Sequence, residues 1–445
     1  MRKAERRPEV KAPLRWQFRE PERFWLDNGM QLLLAHREGQ HIASVALLLD
    51  IPLSLEPTGR HGVATITQRC VDEGTTTHPG TAFSEALEDI GAELSGAAGF
   101  SATEFYLDVP VAHLAEGLEL LAEAVREPIL DASDVRRHQQ LRLAEIEQSE
   151  SNSAHRANLS FRAACIQRRF RAAEAPGGDR EQVGAIEPSD VAEFHARHYR
   201  PEGATLVISG AFGRDLSTLV AETFGDWLPE PGPAFLHQVP EPRRPHLWLV
   251  DRPGSVQADL RLGGFGIDRS DPRWADIQVG TYALGGAFLS RLNKVLREEK
   301  GFTYGVHLVN TPLRDGGLIA VQGSFRTEVL PEALELARHQ LDVVSAPITV
   351  AEVQDAVSFT NGVAPLRYST AQAVTERIAQ LTAAGVSVDF INANAYAITQ
   401  VTPESATSAL AELLPPDQLS LVVVGDADRL HQPLVEAGWP VSIKR

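Results

Sequence analysis

The feature that most constrains the fold is an internal repeat, marked by two pairs of similar segments about half the chain apart. Residues 204–210 and 419–425 are both β-rich apolar runs that close on a glycine, and the two glycines are 215 positions apart. Residues 129–135 and 348–353 both resemble a turn with a capping hydroxyl or acid that leads into a long polar helix, at an offset of about 218. A repeat this long exceeds any solenoid unit, and it predicts two units of similar topology.

The length of the chain agrees with a division into units. At 445 residues it is too long for one ordinary domain. We predict an N-terminal unit over residues 1–228, a linker over 229–245 and a C-terminal unit over 246–445. The linker is rich in prolines that follow no periodic pattern, which is typical of an extended connection rather than a floppy one.

Within each half, the pattern of apolar residues is that of an α+β fold. In the first half it predicts strands at 30–35, 44–49 and 105–109, and helices at 65–71, 84–90, 111–125 and 133–150. Ser84 is a plausible N-cap for the second of these helices. The second half follows the same order. Strands interrupted by long helices predict a mainly antiparallel sheet covered by helices on one face.

Charge and composition exclude several classes of protein. The formal net charge of −17 argues against nucleic acid and anionic membranes as partners. It is compatible with a basic peptide substrate, or with an acidic surface that serves only solubility. Cys70 and Cys165 are too few for a disulfide scaffold, so we expect both to be buried. Residues 1–20 have no apolar signal core and no run of 18 apolar residues occurs, so we expect a cytoplasmic protein.

Residues 62–75 form a segment that resembles the zinc helix of the inverzincin peptidases. They run from a glycine through a stretch of helical length and end in Glu-Gly-Thr. In such enzymes H-x-x-E-H provides two zinc ligands and a general base. The corresponding residues here are Thr65, Gln68 and Arg69. Because Thr is a poor ligand, Gln takes no proton at neutral pH and Arg stays charged, we expect no catalytic metal on this helix.

A second motif, at residues 284–306, extends the resemblance to most of the chain. It reads LGGAFLSRLNKVLREEKGFTYGV, in which a Ser-Arg-Leu helix leads into Leu-Arg-Glu, a glycine and a tyrosine. Together with residues 62–75, it resembles the pitrilysin/insulinase metallopeptidase family, in particular its two-domain bacterial and mitochondrial-processing-peptidase branch. The resemblance runs from about Arg23 to Asp428. It implies two homologous domains that form a clam-like half chamber.

The resemblance also implies roles for Arg297 and Tyr304, which match an arginine and a tyrosine that bind the scissile region of the substrate in the family. A guanidinium and a phenol are suitable donors to the carbonyl oxygen that becomes negative during peptide hydrolysis. The alternative is structural: Arg297 pairs with a surface carboxylate, and Tyr304 is a half-buried aromatic residue of a strand.

Glu145 matches the third zinc ligand of the family, since it lies 76 residues after Arg69. One carboxylate without the other ligands binds zinc negligibly. We therefore predict that Arg69 forms an ion pair with Glu145 in place of the metal and keeps their two helices docked. The alternative is that Arg69 extends to solvent or pairs with Asp72 or Glu73.

Other histidines offer weaker signals. His195 and His198 lie one helical turn apart, a spacing that could chelate a metal, but no carboxylate or cysteine nearby completes a ligand set. His61, just before the degenerate helix, is interpreted as a solvated loop residue.

The hypothesis that follows is a noncatalytic, zinc-free subunit of a heterodimeric zinc metallopeptidase. The chain itself would hold no metal or cofactor. Its partner would be a paralogue with H-x-x-E-H that carries the zinc, and the substrate an extended peptide. Two alternatives are a scaffolding protein of the same fold with no role in proteolysis, and an active peptidase with an unfamiliar site.

Overall fold

Two six-stranded sheets lie at the centre of the protein, as a computed structural model shows for residues 16–213, 216–228 and 237–445. The first sheet has the order β1-β2-β6-β3-β5-β4 and the second β12-β7-β11-β8-β10-β9. The strands of the first are β1 Glu22–Trp25, β2 Gln31–His36, β3 Ile42–Leu49, β4 Glu93–Ala98, β5 Thr103–Pro110 and β6 Thr205–Gly210. Those of the second are β7 Leu247–Asp251, β8 Gln257–Gly266, β9 Val306–Pro312, β10 Gly317–Arg326, β11 Ser420–Gly425 and β12 Ser442–Lys444.

Helices surround both sheets. Those of the first half are α1 Val63–Cys70, α2 Thr81–Asp89, α3 Leu114–Arg126, α4 Ala132–Glu150, α5 Ser153–Cys165, α6 Arg180–Gly184, α7 Pro188–His198 and α8 Leu216–Phe224. Those of the second half are α9 Trp274–Thr281, α10 Arg291–Asn293, α11 Leu330–Leu341, α12 Val350–Arg367, α13 Ala371–Ala383, α14 Phe390–Gln400, α15 Pro403–Leu413 and α16 Ala427–Glu436. Two π-helical turns, Tyr282–Gly286 and Lys294–Glu299, follow α9 and α10.

The internal repeat is visible in the sheets. The two apolar runs that end in glycine became β6 and β11, and every residue of both strands is buried. β6 pairs in parallel with β2 and antiparallel with β3, while β11 pairs in parallel with β7 and antiparallel with β8. Most other strand pairs are antiparallel. The predicted α+β fold with two units of similar topology is confirmed.

Each sheet is covered on both faces, because the two halves exchange a helix. One face of the first sheet packs on helices of its own half, and its other face packs on α13 through Val374, Ile378 and Leu381. Conversely, α5 of the first half covers the second sheet with Ala157 and Phe161. The prediction that helices cover one face only was therefore wrong.

Several other predictions concern single elements. Ser84 is not an N-cap: α2 begins after Gly80, and the Ser84 hydroxyl donates to the Thr81 carbonyl within the helix. Cys70 and Cys165 are buried and free, as expected. Residues 229–236 of the predicted linker lie outside the described residues, and the domain boundaries remain predictions. Within the described residues, no helix has the length and apolarity needed to span a membrane.

Candidate functional site

The N-terminus of α1, the helix with the degenerate zinc motif, is held by a buried carboxylate. Glu56 Oε1 accepts hydrogen bonds from the backbone N–H groups of Gly62 and Ala64, at 2.7 and 3.1 Å. The other oxygen of Glu56 accepts from Arg171 Nε at 2.8 Å. Arg171 also donates to two backbone carbonyls, so this buried ion pair is fully hydrogen-bonded. Nothing in the sequence indicated it, since its two residues lie 115 positions apart.

The three positions of the degenerate motif lie on α1 as predicted, one turn from first to last. Thr65 and Arg69 are half-buried, and Gln68 is buried. The Gln68 side chain lies against Gly96 of β4 so closely that a Cβ at that glycine would be 2.5 Å from Gln68 Nε2. The same Cβ would be 2.7 Å from the backbone oxygen of Glu104, which cannot move aside as a side chain can, so this position of β4 requires a glycine.

Arg69 and Glu145 form the predicted ion pair. Arg69 Nη1 and Nη2 donate to the two oxygens of Glu145 at 2.8 and 3.1 Å, and Arg142 donates to one of the same oxygens at 3.0 Å. The hydrogen bond from Arg69 is the main reason that the pKa of Glu145 is lowered, against the opposing effect of burial. Glu73, the alternative partner of Arg69, pairs instead with two side chains of α4.

These residues do not fit a zinc ion. The one carboxylate at the site is bonded to two guanidiniums, and the fixed positive charges of Arg69 and Arg142 would repel a divalent cation. Across the described part of the chain, no group of three or more His, Cys, Asp or Glu residues is arranged to hold a metal. The arrangement therefore provides neither a Lewis acid nor a general base for peptide hydrolysis.

An open sheet edge lies beside this helix. β4 pairs with β5 on one side and ends the sheet on the other, and α1 packs against it. The side chains of β4 alternate between exposed and half-buried. An edge strand with free N–H and C=O groups can pair with an extended peptide. The sequence did not predict β4, because Glu-Leu-Ser-Gly-Ala-Ala has no β-branched or aromatic residue.

The second motif folds into a short α-helix, α10, followed by the π-helical turn Lys294–Glu299. Asn293 fixes its position, since its side chain both donates to the carbonyl of Val306 and accepts from the N–H of that residue, at 3.0 and 3.1 Å. Gly301, with a φ of 63°, turns the chain after the helix. π-helical turns are rare and occur frequently at functional sites.

Arg297 and Tyr304 both lie in this segment but differ in their surroundings. Arg297 donates to the carbonyl of Phe288 at 2.8 Å, lies 3.9 Å from the centre of the Phe288 ring, and pairs with Glu298 at 2.7 Å. Its partner is thus a surface carboxylate, as the structural alternative expected. Tyr304 precedes β9 and is 98% exposed, so it is not a half-buried residue of a strand.

The predicted site residues therefore form two separate groups. Thr65, Gln68, Arg69 and Glu145 lie together on α1 and α4. Within the described residues, no hydrogen bond or ion pair connects this group to Arg297 or Tyr304.

His195 and His61 each have a structural partner. His195 Nε2 lies 3.0 Å from the carbonyl of Val125, and burial lowers the pKa values of His195 and His198 to about 4. His61 is not solvated: its side chain is 13% exposed and its Nδ1 lies 2.7 Å from a Glu174 oxygen.

Two family models match the chain. Residues 31–173 match the insulinase model of peptidase family M16, and residues 185–359 match the model described as the peptidase M16 inactive domain. The chain belongs to the M16 (insulinase) peptidase family. The resemblance to the pitrilysin/insulinase family, inferred from the two motifs, is confirmed.

The relatives of this M16 chain include proteins named as zinc proteases and a protein named as a subunit of the cytochrome b-c1 complex. An uncharacterized zinc protease of Mycobacterium tuberculosis is 25% identical over 350 residues, which are 75% of this chain and 76% of the relative. One of Streptomyces coelicolor is 23% identical over 435 residues, 91% of each chain. Cytochrome b-c1 complex subunit 1 of Bos taurus is 23% identical over 185 residues, 42% of this chain and 38% of the relative.

Solved structures share the M16 fold. A peptidase M16 inactive domain from Pseudomonas fluorescens has a TM-score of 0.84 at 23% identity, and covers 91% of this chain and 98% of its own. A protease from Helicobacter pylori has a TM-score of 0.82 at 15% identity, and the match covers 93% of this chain and 100% of the protease chain. At these identities the likeness establishes the fold.

Proposed function

We propose that this M16 chain is the noncatalytic subunit of a heterodimeric zinc metallopeptidase. The observation that carries the proposal is the bidentate Arg69–Glu145 ion pair, which joins two positions that match zinc ligands of the family in sequence. A chain with this pair cannot bind the catalytic metal there. The zinc and the general base then belong to a paralogous partner that carries H-x-x-E-H.

The contribution of this chain to the reaction would be two hydrogen-bond donors from the second motif. The Tyr304 hydroxyl is exposed, and Arg297 Nη1 makes no hydrogen bond among the described residues. In this proposal both groups donate to the carbonyl oxygen of an extended peptide held at the partner's zinc site. The two subunits would enclose a chamber that admits unfolded peptides.

A scaffolding role is the second candidate. It is favoured by the similarity to cytochrome b-c1 complex subunit 1 over 185 residues and by the position of Arg297, which already has a carboxylate partner. A scaffold has no need of an exposed tyrosine, and the two roles differ in what Tyr304 does for turnover.

The test is to co-express the chain with an M16 paralogue from the same genome that carries H-x-x-E-H, and to assay peptide cleavage by the purified complex. Tyr304→Phe and Arg297→Ala should each lower kcat by about 100-fold or more, as loss of an oxyanion donor does. The matched controls are Tyr396→Phe, at another exposed tyrosine, and Arg338→Ala, at an arginine of α11 paired with Glu335.

Size-exclusion chromatography should show that all four variants still assemble. If complexes with Tyr304→Phe and Arg297→Ala retain full turnover, the two residues are not used as donors, and the result favours the scaffolding role.

A further inference from the structure

A polar cavity lies where α9, α12, α13 and α14 meet, away from both groups of site residues. Its volume is about 330 Å³. Three arginines line it: Arg269 in the loop after β8, Arg367 at the end of α12, and Arg377 on α13. The rings of Trp274 and Tyr368 form part of its wall. We call this cavity the arginine pocket.

The three guanidiniums of the arginine pocket have no carboxylate partner within 4.0 Å in the part of the chain that the structure describes. Arg269 Nε is buried and makes no hydrogen bond, and its guanidinium lies 5.6 Å from the centre of the Trp274 ring. The neighbouring carboxylate of Asp268 is used to hold Ser270 and Gly316. A half-buried arginine without a charged partner is costly unless a ligand supplies one.

Positive charge is concentrated in this pocket although the chain as a whole has a net charge of −17. Glu376 is the one carboxylate among the lining residues, against three guanidiniums. Burial and the neighbouring charge of Arg377 lower the pKa of Arg269 to about 10, so it is still protonated at neutral pH. The guanidiniums of Arg269 and Arg377 thus repel each other, and an anion bound between them would relieve this repulsion.

We propose that the arginine pocket is a binding site for an organic anion, which it holds through a carboxylate or phosphate group. Planar guanidinium forks match both groups. The Asn394 side chain donates to Gln278 Oε1 at 3.1 Å, which leaves the amide NH₂ of Gln278 as a further donor on the wall. The volume is at the lower end of small-molecule sites, about 300–1,000 Å³, and suits a ligand larger than a bare ion.

Two sources of this chemistry fit the pocket: a small phosphorylated molecule, and the C-terminal carboxylate of a peptide. The site does not depend on the proposed role in proteolysis, because it involves neither the degenerate zinc motif nor Arg297 and Tyr304.

The experiment is a calorimetric titration of the full chain at constant ionic strength. One arm uses inorganic phosphate, and the other uses a short peptide with a free C-terminal carboxylate, compared with the same peptide amidated at its C-terminus. Saturable binding in either arm supports the site, and the arm that binds identifies the source. If neither phosphate nor the free-acid peptide binds saturably, the proposal is wrong.

Variants test the location of the site. Arg377→Gln should weaken binding about tenfold or more, since a hydrogen bond between charged groups is lost. Without an anion, the Arg377→Gln variant should melt at no lower temperature than the parent chain, because the substitution removes a like charge next to Arg269. Arg180→Gln, at an exposed arginine of α6, is the matched control and should bind as the parent chain does. Arg367→Gln provides a second variant at an exposed position. Unchanged affinity in both pocket variants, or an equal loss in Arg180→Gln, would overturn the proposal.

Discussion

At the scale of single residues, the Arg69–Glu145 ion pair connects α1 and α4. A zinc ion bound by residues of both helices would make the same connection. The pair is partly exposed, with 30% and 42% of the two side chains accessible, so its net contribution is about 1 kcal/mol or less. If Arg69 alone were removed, Glu145 would keep its ion pair with Arg142.

The first prediction concerns pH. Because hydrogen bonds from Arg69 and Arg142 hold the pKa of Glu145 below its ordinary value of 4.5, the stabilisation is present above that value and is lost as pH falls through the lower, folded-state pKa. Glu145→Gln should therefore lower the melting temperature at neutral pH, and the difference from the parent chain should shrink as the pH falls below 4.5 and Glu145 becomes protonated in the folded protein. Glu147→Gln, at a more exposed residue of the same helix, is the control. A difference that stays constant with pH would contradict the assignment.

The second prediction restores the motif. In the triple variant T65H/Q68E/R69H, two histidines one turn apart would face Glu145, which has lost its main cationic partner. The purified variant should retain about one zinc per chain after dialysis, as a three-ligand site does. Adding Glu145→Ala should abolish this. Elemental analysis of a folded triple variant that holds no more zinc than the parent chain would show that these positions do not form a latent metal site.

At the scale of elements, the exchange of α5 and α13 joins the two halves. Residues of α13 pack on β3 and β6 of the first sheet, and the Thr375 hydroxyl donates to the backbone of Ser44 at 3.0 Å. Neither half can therefore bury both faces of its sheet alone. Ile378, fully buried on α13, is central to this contact.

The third prediction follows from this packing. Ile378→Ala should lower the free energy of unfolding by about 2–5 kcal/mol, the usual cost of an aliphatic cavity in a core. Gln372→Ala, on the exposed side of the same helix, should change it little. Hydrogen exchange should show weaker protection in β3 and β6 of the first half. Loss of protection confined to the second half would mean that α13 does not stabilise the first sheet.

The elements also show what the sequence could predict. Apolar runs ending in glycine identified β6 and β11, because a strand buried on both faces is continuously apolar. The Arg69–Glu145 ion pair could be predicted from the opposite charges of two residues that match zinc ligands of the family. The exchange of α5 and α13 could not be predicted, because periodicity reveals that a helix has an apolar face but not which sheet that face covers. The π-helical turns and the Glu56–Arg171 pair depend on tertiary contacts that no local pattern encodes.

At the scale of the whole molecule, each half of the twofold repeat carries one of the two groups of residues that match the family's site. The first half holds Arg69 and Glu145 in an ion pair, and the second presents the segment with Arg297 and Tyr304. Within the described residues no hydrogen bond or ion pair connects the two groups. The group on α1 and α4 offers no zinc site at which Arg297 and Tyr304 could act. The proposed function therefore requires a second, zinc-binding subunit.

The last prediction tests this division. The purified chain alone should contain no stoichiometric zinc and cleave no peptide, because a guanidinium occupies the ligand position and Gln68 cannot act as a base. The complex with an H-x-x-E-H paralogue should contain about one zinc per heterodimer, since a single three-ligand site then exists. Elemental analysis and peptide cleavage, measured on each chain and on the complex, provide the comparison. About one zinc per chain in the isolated protein, lost on Glu145→Ala, would mean that this chain binds its own metal and that the Arg69–Glu145 pair opens to admit it.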